Sequence, residues 1–316
     1  MSSVLNYLRW SLRIRRVEYR IAELPIFAIP VLLTITNRSD LWGSVAIRGL
    51  IAFFFMFAFG DLLNCYADRD LDAKYKPQLT EAVFGIGLRG VLAQAAFSAV
   101  GAIGLSVHLA WTLDRWILVP MTLIGLAVAW AYSVEPVRLK GRGLGQLVFY
   151  WLGLFVAPML FAATLFSEFP SAKVIIVAGA FAAVQTGVIL VNTAEDFPED
   201  RELNVVTAIV SVGIWRGIAM ARWITIVGSV LLVGTLALLL GDSDGPAWRW
   251  ASLALVVAAV GFCAWSLWNL HQRIASADEP VAIAEVKEAA KKVPIWMSTV
   301  ALSTFATAIA LSPVIS

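Results

Sequence analysis

Two short stretches hold the residues best suited to chemistry. The first is Asn64-Cys65-Tyr66-Ala67-Asp68-Arg69-Asp70-Leu71-Asp72; the second is Asn192-Thr193-Ala194-Glu195-Asp196-Phe197-Pro198-Glu199-Asp200. Each opens on an asparagine with aspartates four and eight residues on: Asn64, Asp68 and Asp72, then Asn192, Asp196 and Asp200. On a helix of 3.6 residues per turn such a series stays within about 80° of arc. Side chains on successive turns then stand roughly 5–6 Å apart. A ladder of oxygens at this spacing suits Mg²⁺, which takes oxygen ligands and shares its shell with water and substrate phosphates. Asp61 falls on the first ladder's face and Asp70 on the opposite one. Asp61 and Glu199 rank behind the aspartates; Pro198 is expected to break the second helix, which leaves the helical register of Glu199 and Asp200 unfixed. One acidic cluster after an apolar run marks only a membrane surface; two in the same register favour metal-bound phosphate.

Each ladder follows an apolar run, Phe53–Leu63 and Val174–Val191. Hydrophobic residues are 60% of the 316 and mean hydropathy is +0.81, against an apolar share of about 45–50% in soluble domains. The expected fold is all-α: a polytopic membrane protein with nine transmembrane helices in one bundle and a site mouth facing the cytoplasm. The expected spans are 21–36, 42–63, 85–109, 116–132, 144–166, 174–191, 215–240, 248–270 and 293–314. Residues 1–20, where Leu5, Leu8, Leu12 and Val17 alternate with arginines, read as an amphipathic basic segment on the membrane surface or a solvated tail; 21–316 is the membrane domain.

Basic residues set the orientation. Arg9, Arg13, Arg15, Arg16 and Arg20 precede the first span, and the loops after even-numbered spans carry most of the remaining lysines and arginines. The N-terminus and both acidic ladders are therefore expected on the cytoplasmic side, in a bacterial inner membrane. Trp42, Trp111, Trp116, Trp215, Trp248, Trp250 and Trp296 read as interfacial belts. A net charge of +2 does not suggest nucleic acid as a partner. Cys65 and Cys263 imply neither a disulfide framework nor a metal site. His108 and His271, at span ends, read as interfacial, and no cleavable signal peptide is visible.

A third piece follows the fourth span: Tyr132-Ser133-Val134-Glu135-Pro136-Val137-Arg138-Leu139-Lys140. Arg138 and Lys140 can grip phosphate oxygens through charge-assisted hydrogen bonds; the alternative is that they only enforce topology, which is preferred for Arg142. Lys76 and Arg201 are further phosphate contacts at even odds with a solvated role.

The two acidic ladders and this loop together resemble the UbiA superfamily of membrane prenyltransferases. The resemblance implies that two aspartate-rich loops hold the diphosphate of a polyprenyl donor through Mg²⁺, expected as two ions. Asp68, Asp72, Asp196 and Asp200 would be catalytic ligands. Asn64 and Asn192 would add amide oxygens, and Tyr132, Arg138, Lys140, Lys76 and Arg201 would contact substrate. Partners are then a polyprenyl diphosphate, a small-molecule or lipid acceptor, and membrane lipids. The chain departs from the family pattern at Cys65, at Asn192, at Glu135 and in the short Lys76-Pro77-Gln78-Leu79 run. The reaction classes left open are prenyl transfer to an acceptor (aromatic acid, quinone precursor, tetrapyrrole, sugar phosphate or other lipid-pathway acceptor), cyclisation of the prenyl chain alone, binding without turnover, and cation transport. Transport is disfavoured because span interiors are nearly free of charge apart from Arg48 and Arg222.

Overall fold

The structure is a computed structural model and describes residues 2–242 and 247–315. In chain order its helices are α1 (Ser2–Arg13), α2 (Arg20–Thr34), α3 (Ser44–Tyr75), α4 (Pro77–Ile86), α5 (Leu88–Leu113), α6 (Leu118–Ser133) and α7 (Gly145–Val148). A π-helical stretch, Phe149–Val156, joins α7 to α8 (Ala157–Thr164). Then come α9 (Ala172–Glu195), α10 (Phe197–Glu202), α11 (Ala208–Val212), α12 (Ile214–Gly241), α13 (Trp248–Ile274), α14 (Glu279–Ala290) and α15 (Val293–Leu311). Among the described residues there is no strand, only an isolated bridge between Arg142 and Val206.

Seven segments are long and apolar enough to cross a membrane: Arg38–Lys74, Leu88–Leu113, Gly145–Thr164, Ala172–Glu195, Ile214–Gly241, Trp248–Ile274 and Val293–Leu311. They cover seven of the nine expected spans. The other two are helical but shorter: α2 has 15 residues with Pro25 and Pro30 inside it, and α6 has 16. The amphipathic N-terminal segment is also shorter than expected. It ends at Arg13, because Arg16 takes a left-handed conformation (φ 46°) that no helix continues through. Its Val4, Leu5, Leu8 and Leu12 are exposed, as a surface-lying apolar face requires.

The chain divides into two compact units, Met1–Arg20 with Gly43–Leu139, and Ile21–Trp42 with Lys140–Ser316. In the first, α3 is the central helix and packs on α4, α5 and α6. In the second, α9 is central and packs on α12, α14, α15 and the π-helical stretch. Glycine allows α9 and α12 to approach closely. A Cβ on Gly187 would stand 2.2 Å from Thr225 Oγ1, and one on Gly228 2.6 Å from the Val184 nitrogen. Small residues of this kind let helix backbones meet where water does not drive their association. The tryptophans divide. Trp42, Trp111, Trp116, Trp248 and Trp250 are exposed as belts should be, but Trp296 lies in the interior at 3% exposure.

Candidate active site

The first ladder is a continuous helix. α3 runs on for 32 residues through Asp72 and stops at Lys76 (φ −132°, ψ 59°). Pro77 is the cause: it disfavours helical geometry in the residue before it and suits the first turn of the helix that follows. Asn64, Asp68 and Asp72 thus keep the face their spacing predicts. Asp68 and Asp72 are buried, while the side chain of Asp70 is 79% exposed beside Arg69.

Basic and polar groups surround that face. Arg138 Nη2 lies 3.4 Å from Asp68 Oδ1, and its Nη1 lies 3.3 Å from Glu135 Oε1. Ser133 Oγ donates to Asn64 Oδ1 at 3.3 Å. Arg20 pairs with Asp61. Arg138 has φ 35°, the left-handed region a non-glycine residue rarely occupies, so its backbone geometry is held against local preference. Tyr132 is half-buried at the end of α6, and Lys76 is half-buried between α3 and α4.

The second ladder is not a geometric copy of the first. α9 ends at Glu195, and Asp196 (φ −85°, ψ 5°) leads into α10. Pro198 has no N–H to give the Ala194 carbonyl, so the helix cannot continue; the break falls two residues before the proline, as its presence predicts. The turn is closed by Asp200 N donating to Asp196 O at 2.8 Å and Val205 N donating to Asp200 O at 2.8 Å. Rotating the chain at Asp196 brings Glu199 inside with Asp200, each 5% exposed. Asn192 and Asp196 are half-buried. Glu199 Oε1 accepts from Lys287 Nζ at 2.8 Å, whereas its Oε2 is buried without a hydrogen-bond partner.

Sequence reasoning missed the helix that supplies Lys287. α14 packs on α9 and carries Glu279 as well, which pairs with Arg201 (Nη1 to Oε2, 3.0 Å). The signal was present: Asp278 caps the helix by accepting from Val281 N at 3.2 Å, and Pro280 sits in its first turn. Arg201 is therefore engaged with Glu279 and with the Phe197 ring, 4.9 Å from its centroid. Their shared hydrogen bond holds the Glu279 carboxyl below its ordinary value and raises Arg201. A buried polar chain, also missed, backs the second ladder. Gln146 Nε2 donates to Tyr150 OH at 2.9 Å, Tyr150 OH meets Thr193 Oγ1 at 3.0 Å, and the Ala208 amide donates to Gln146 Oε1 at 3.0 Å. Lys140 is buried and Arg142 exposed.

Among the described residues, no three His, Cys, Asp or Glu side chains form a group able to hold a metal ion by themselves. The donors in each unit are all hard oxygens, and Glu199 Oε2 is a buried acceptor with nothing to accept. That set fits Mg²⁺ completed by water and substrate phosphate rather than a closed protein cage.

The model of the UbiA prenyltransferase family matches residues 24–285. This chain belongs to that family. Among curated proteins, the UbiA-family chain is 32% identical over 148 residues to the bacteriochlorophyll synthase 33 kDa chain of Rhodobacter capsulatus, which is 45% of this chain and 46% of that one. It aligns over about half the length of the curated relatives it matches. A solved structure concerned with digeranylgeranylglyceryl phosphate synthase in membranes has a TM-score of 0.64 at 16% identity, covering 98% of this chain and 100% of that one. A UbiA homolog from Archaeoglobus fulgidus, bound to GPP and Mg²⁺, has a TM-score of 0.64 at 14% identity over 92% of this chain and 99% of that one. Likeness at these identities establishes the all-helical UbiA fold; the seven long apolar segments and the family mark an integral, multi-pass membrane protein.

Proposed function

We propose that the chain is a Mg²⁺-dependent membrane prenyltransferase. It takes a polyprenyl diphosphate and passes the prenyl group to an acceptor. The observation that carries this is the pair of buried acidic helix ends, Asp68 and Asp72 on α3 and Glu199 and Asp200 at the α9–α10 break, in a chain of this family. The A. fulgidus homolog bound to GPP and Mg²⁺ supports donor and metal alike. Nine crossings are part of the proposal, with α2 and α6 as the short ones. The N-terminus and both acidic ends lie on the cytoplasmic side.

In this reading the allylic C–O bond of the donor breaks and its electron pair leaves with the diphosphate. An acceptor nucleophile then supplies a pair to the allylic carbon and loses a proton. Mg²⁺, when bound, would supply positive charge that stabilises the leaving oxygen. Asp68, Asp72, Asp196 and Asp200 would hold it, with Asn64 and Asn192 adding neutral oxygens. Arg138 and Lys140 bind diphosphate oxygens directly, and Arg138 stands ready beside Asp68. Lys76 and Tyr132 border the first ladder. Arg201, held by Glu279, acts on the second ladder by fixing α10 to α14.

The test uses the purified chain in lipid nanodiscs with labelled prenyl diphosphates and a panel of acceptors. Tetrapyrroles head the panel, because the curated relatives are bacteriochlorophyll synthase chains. Diphosphate release that needs Mg²⁺ and is lost in Asp68→Ala and in Asp196→Ala is the expected result. Release that continues in EDTA refutes it.

A further inference from the structure

The chain has two histidines, and each partners an arginine inside a membrane-length helix: His108 with Arg48, and His271 with Arg222. The second pair has an unmet requirement. Arg222 lies on α12, eight residues past Ile214 or about 12 Å along the helix, and is 8% exposed. Its Nη1 donates to His271 Nδ1 at 3.2 Å, and its Nε is buried with no partner. Its guanidinium lies 4.7 Å from the Trp268 ring centroid and 5.0 Å from that of Trp223. These are its contacts, and none of them is a carboxylate.

A guanidinium does not give up its proton in a protein, and a buried charge is costly unless it is paired. Two indole faces and one imidazole offset part of that cost but bring no negative charge. No carboxylate among the described residues meets Arg222, and its surroundings point to an anion from outside. Trp223, Trp265 and Trp268 are 54%, 61% and 45% exposed, so this face of the α12–α13 pair is turned to whatever surrounds the bundle. Trp215 Nε1 donates to the Ile274 carbonyl at 2.9 Å, pinning the start of α12 to the end of α13. The pair therefore sits near the helix ends, at the depth where tryptophan marks lipid headgroups. The anion available there is a lipid phosphodiester.

We propose that Arg222, His271 and Trp268 form a binding site for the phosphate of an anionic phospholipid, with Trp223 and Trp268 flanking its glycerol end. The planar fork of Arg222, clamped between indoles, presents its remaining N–H groups to phosphate oxygens in fixed geometry. The site is separate from the acidic ladders and does not depend on the proposed transfer reaction.

Native mass spectrometry of the detergent-solubilised full chain tests this, with phosphatidylglycerol, phosphatidylcholine and inorganic phosphate as probes. The wild type is expected to retain phosphatidylglycerol at least tenfold more tightly than phosphatidylcholine. Arg222→Gln abolishes that preference, and Arg222→Lys recovers only part of it. Inorganic phosphate is expected not to displace the lipid; displacement at millimolar phosphate overturns the lipid assignment in favour of a free anion. Equal phosphatidylglycerol retention by wild type and Arg222→Gln overturns the site. If Arg222→Gln does not fold, Trp268→Leu takes its place: loss of the preference supports the site and an unchanged preference overturns it.

Discussion

Removing Lys287 isolates Glu199, a buried carboxylate at the α9–α10 break. Lys287 Nζ stands 2.8 Å from Glu199 Oε1; the lysine side chain is 41% exposed and the glutamate 7%. At an effective dielectric of about 20 the Coulomb energy at that distance is about 6 kcal/mol, but desolvation of the glutamate cancels much of it. Breaking a fully buried pair costs about 3–5 kcal/mol, and an exposed pair is worth about 0–1 kcal/mol. A pair with one member inside and one at the surface falls between, so Lys287→Met is expected to destabilise by about 2 kcal/mol. The loss is large for a single ion pair because Glu199 Oε2 has no other partner to turn to. For a chain of this size that is a fall in Tm of roughly 4 °C. The assay is thermal unfolding of the nanodisc-embedded protein, wild type against Lys287→Met, Glu199→Gln and the double variant, with and without Mg²⁺. Glu199→Gln alone should cost less than Lys287→Met, since a freed lysine reaches water and a freed buried carboxylate does not. Mg²⁺ should restore Lys287→Met more than it stabilises the wild type, because Glu199 then has a cation to bind. A Lys287→Met change under about 0.5 kcal/mol, additive with Glu199→Gln, refutes the reasoning.

Arg138→Met is expected to raise the KM for prenyl diphosphate by roughly 10-fold or more, since a charge-assisted hydrogen bond is worth about 1.5–3 kcal/mol; Arg138→Lys should recover only part, and steady-state kinetics checks both. The Arg201–Glu279 pair has a defined pH signature. Its hydrogen bond lowers the folded pKa of Glu279, so its contribution is present above the unfolded value of about 4.3 and disappears as pH falls through the folded one. The Tm difference between wild type and Arg201→Ala should therefore exist at pH 7 and shrink as pH falls below the unfolded value and through the folded one. Single cysteines introduced at Arg115 and at Glu135 should react with a membrane-impermeant reagent from opposite sides of a vesicle, because α6 lies between them; labelling from one side refutes its crossing.

Much of this was legible in the sequence because membrane helices must be apolar along their length and because proline leaves an unambiguous mark. The runs behind both ladders, the face shared by Asn64, Asp68 and Asp72, and the break forced by Pro198 all follow from those two facts. What was illegible depended on partners far apart in the chain. Nothing at position 199 announces that Lys287 will meet it, and nothing at 193 points to Tyr150 and Gln146. Trp296 shows the same limit. Its position near a span end suits a belt, yet its neighbours bury it, and burial is a property of the packed bundle rather than of the residue. α14 was legible but overlooked: its caps and its apolar Ala282, Val286, Ala289 and Ala290 form a short amphipathic helix in a loop read only for its charges.

The proposed shared side of the two ladders turns on α6, the apolar helix too short to count by length. Between the end of α3 and the end of α9 the chain passes through α5, α6, the α7–α8 segment and α9. Four crossings return it to the side it left; without α6 there are three, and the two ladders would face opposite sides. Sixteen residues reach only about 24 Å, short of a hydrocarbon core of about 30 Å. Contacts inside the first unit nevertheless support the proposed traverse by α6. Arg48 near the start of α3 meets His108 near the end of α5, so those two helices run antiparallel along their length. Ser106 then meets Thr122 at 2.6 Å across α5 and α6. At the far end of α6, Ser133 and Arg138 reach Asn64 and Asp68. A helix that leaves from the end of α5 and arrives at the first ladder covers a distance like that of α5 itself, whose 26 residues are long and apolar enough to span the core. Interfacial Trp116 and Tyr132 at its two ends, with modest local thinning of the bilayer, accommodate the difference. In the proposed topology, a common side for the two ladders thus depends on α6 crossing.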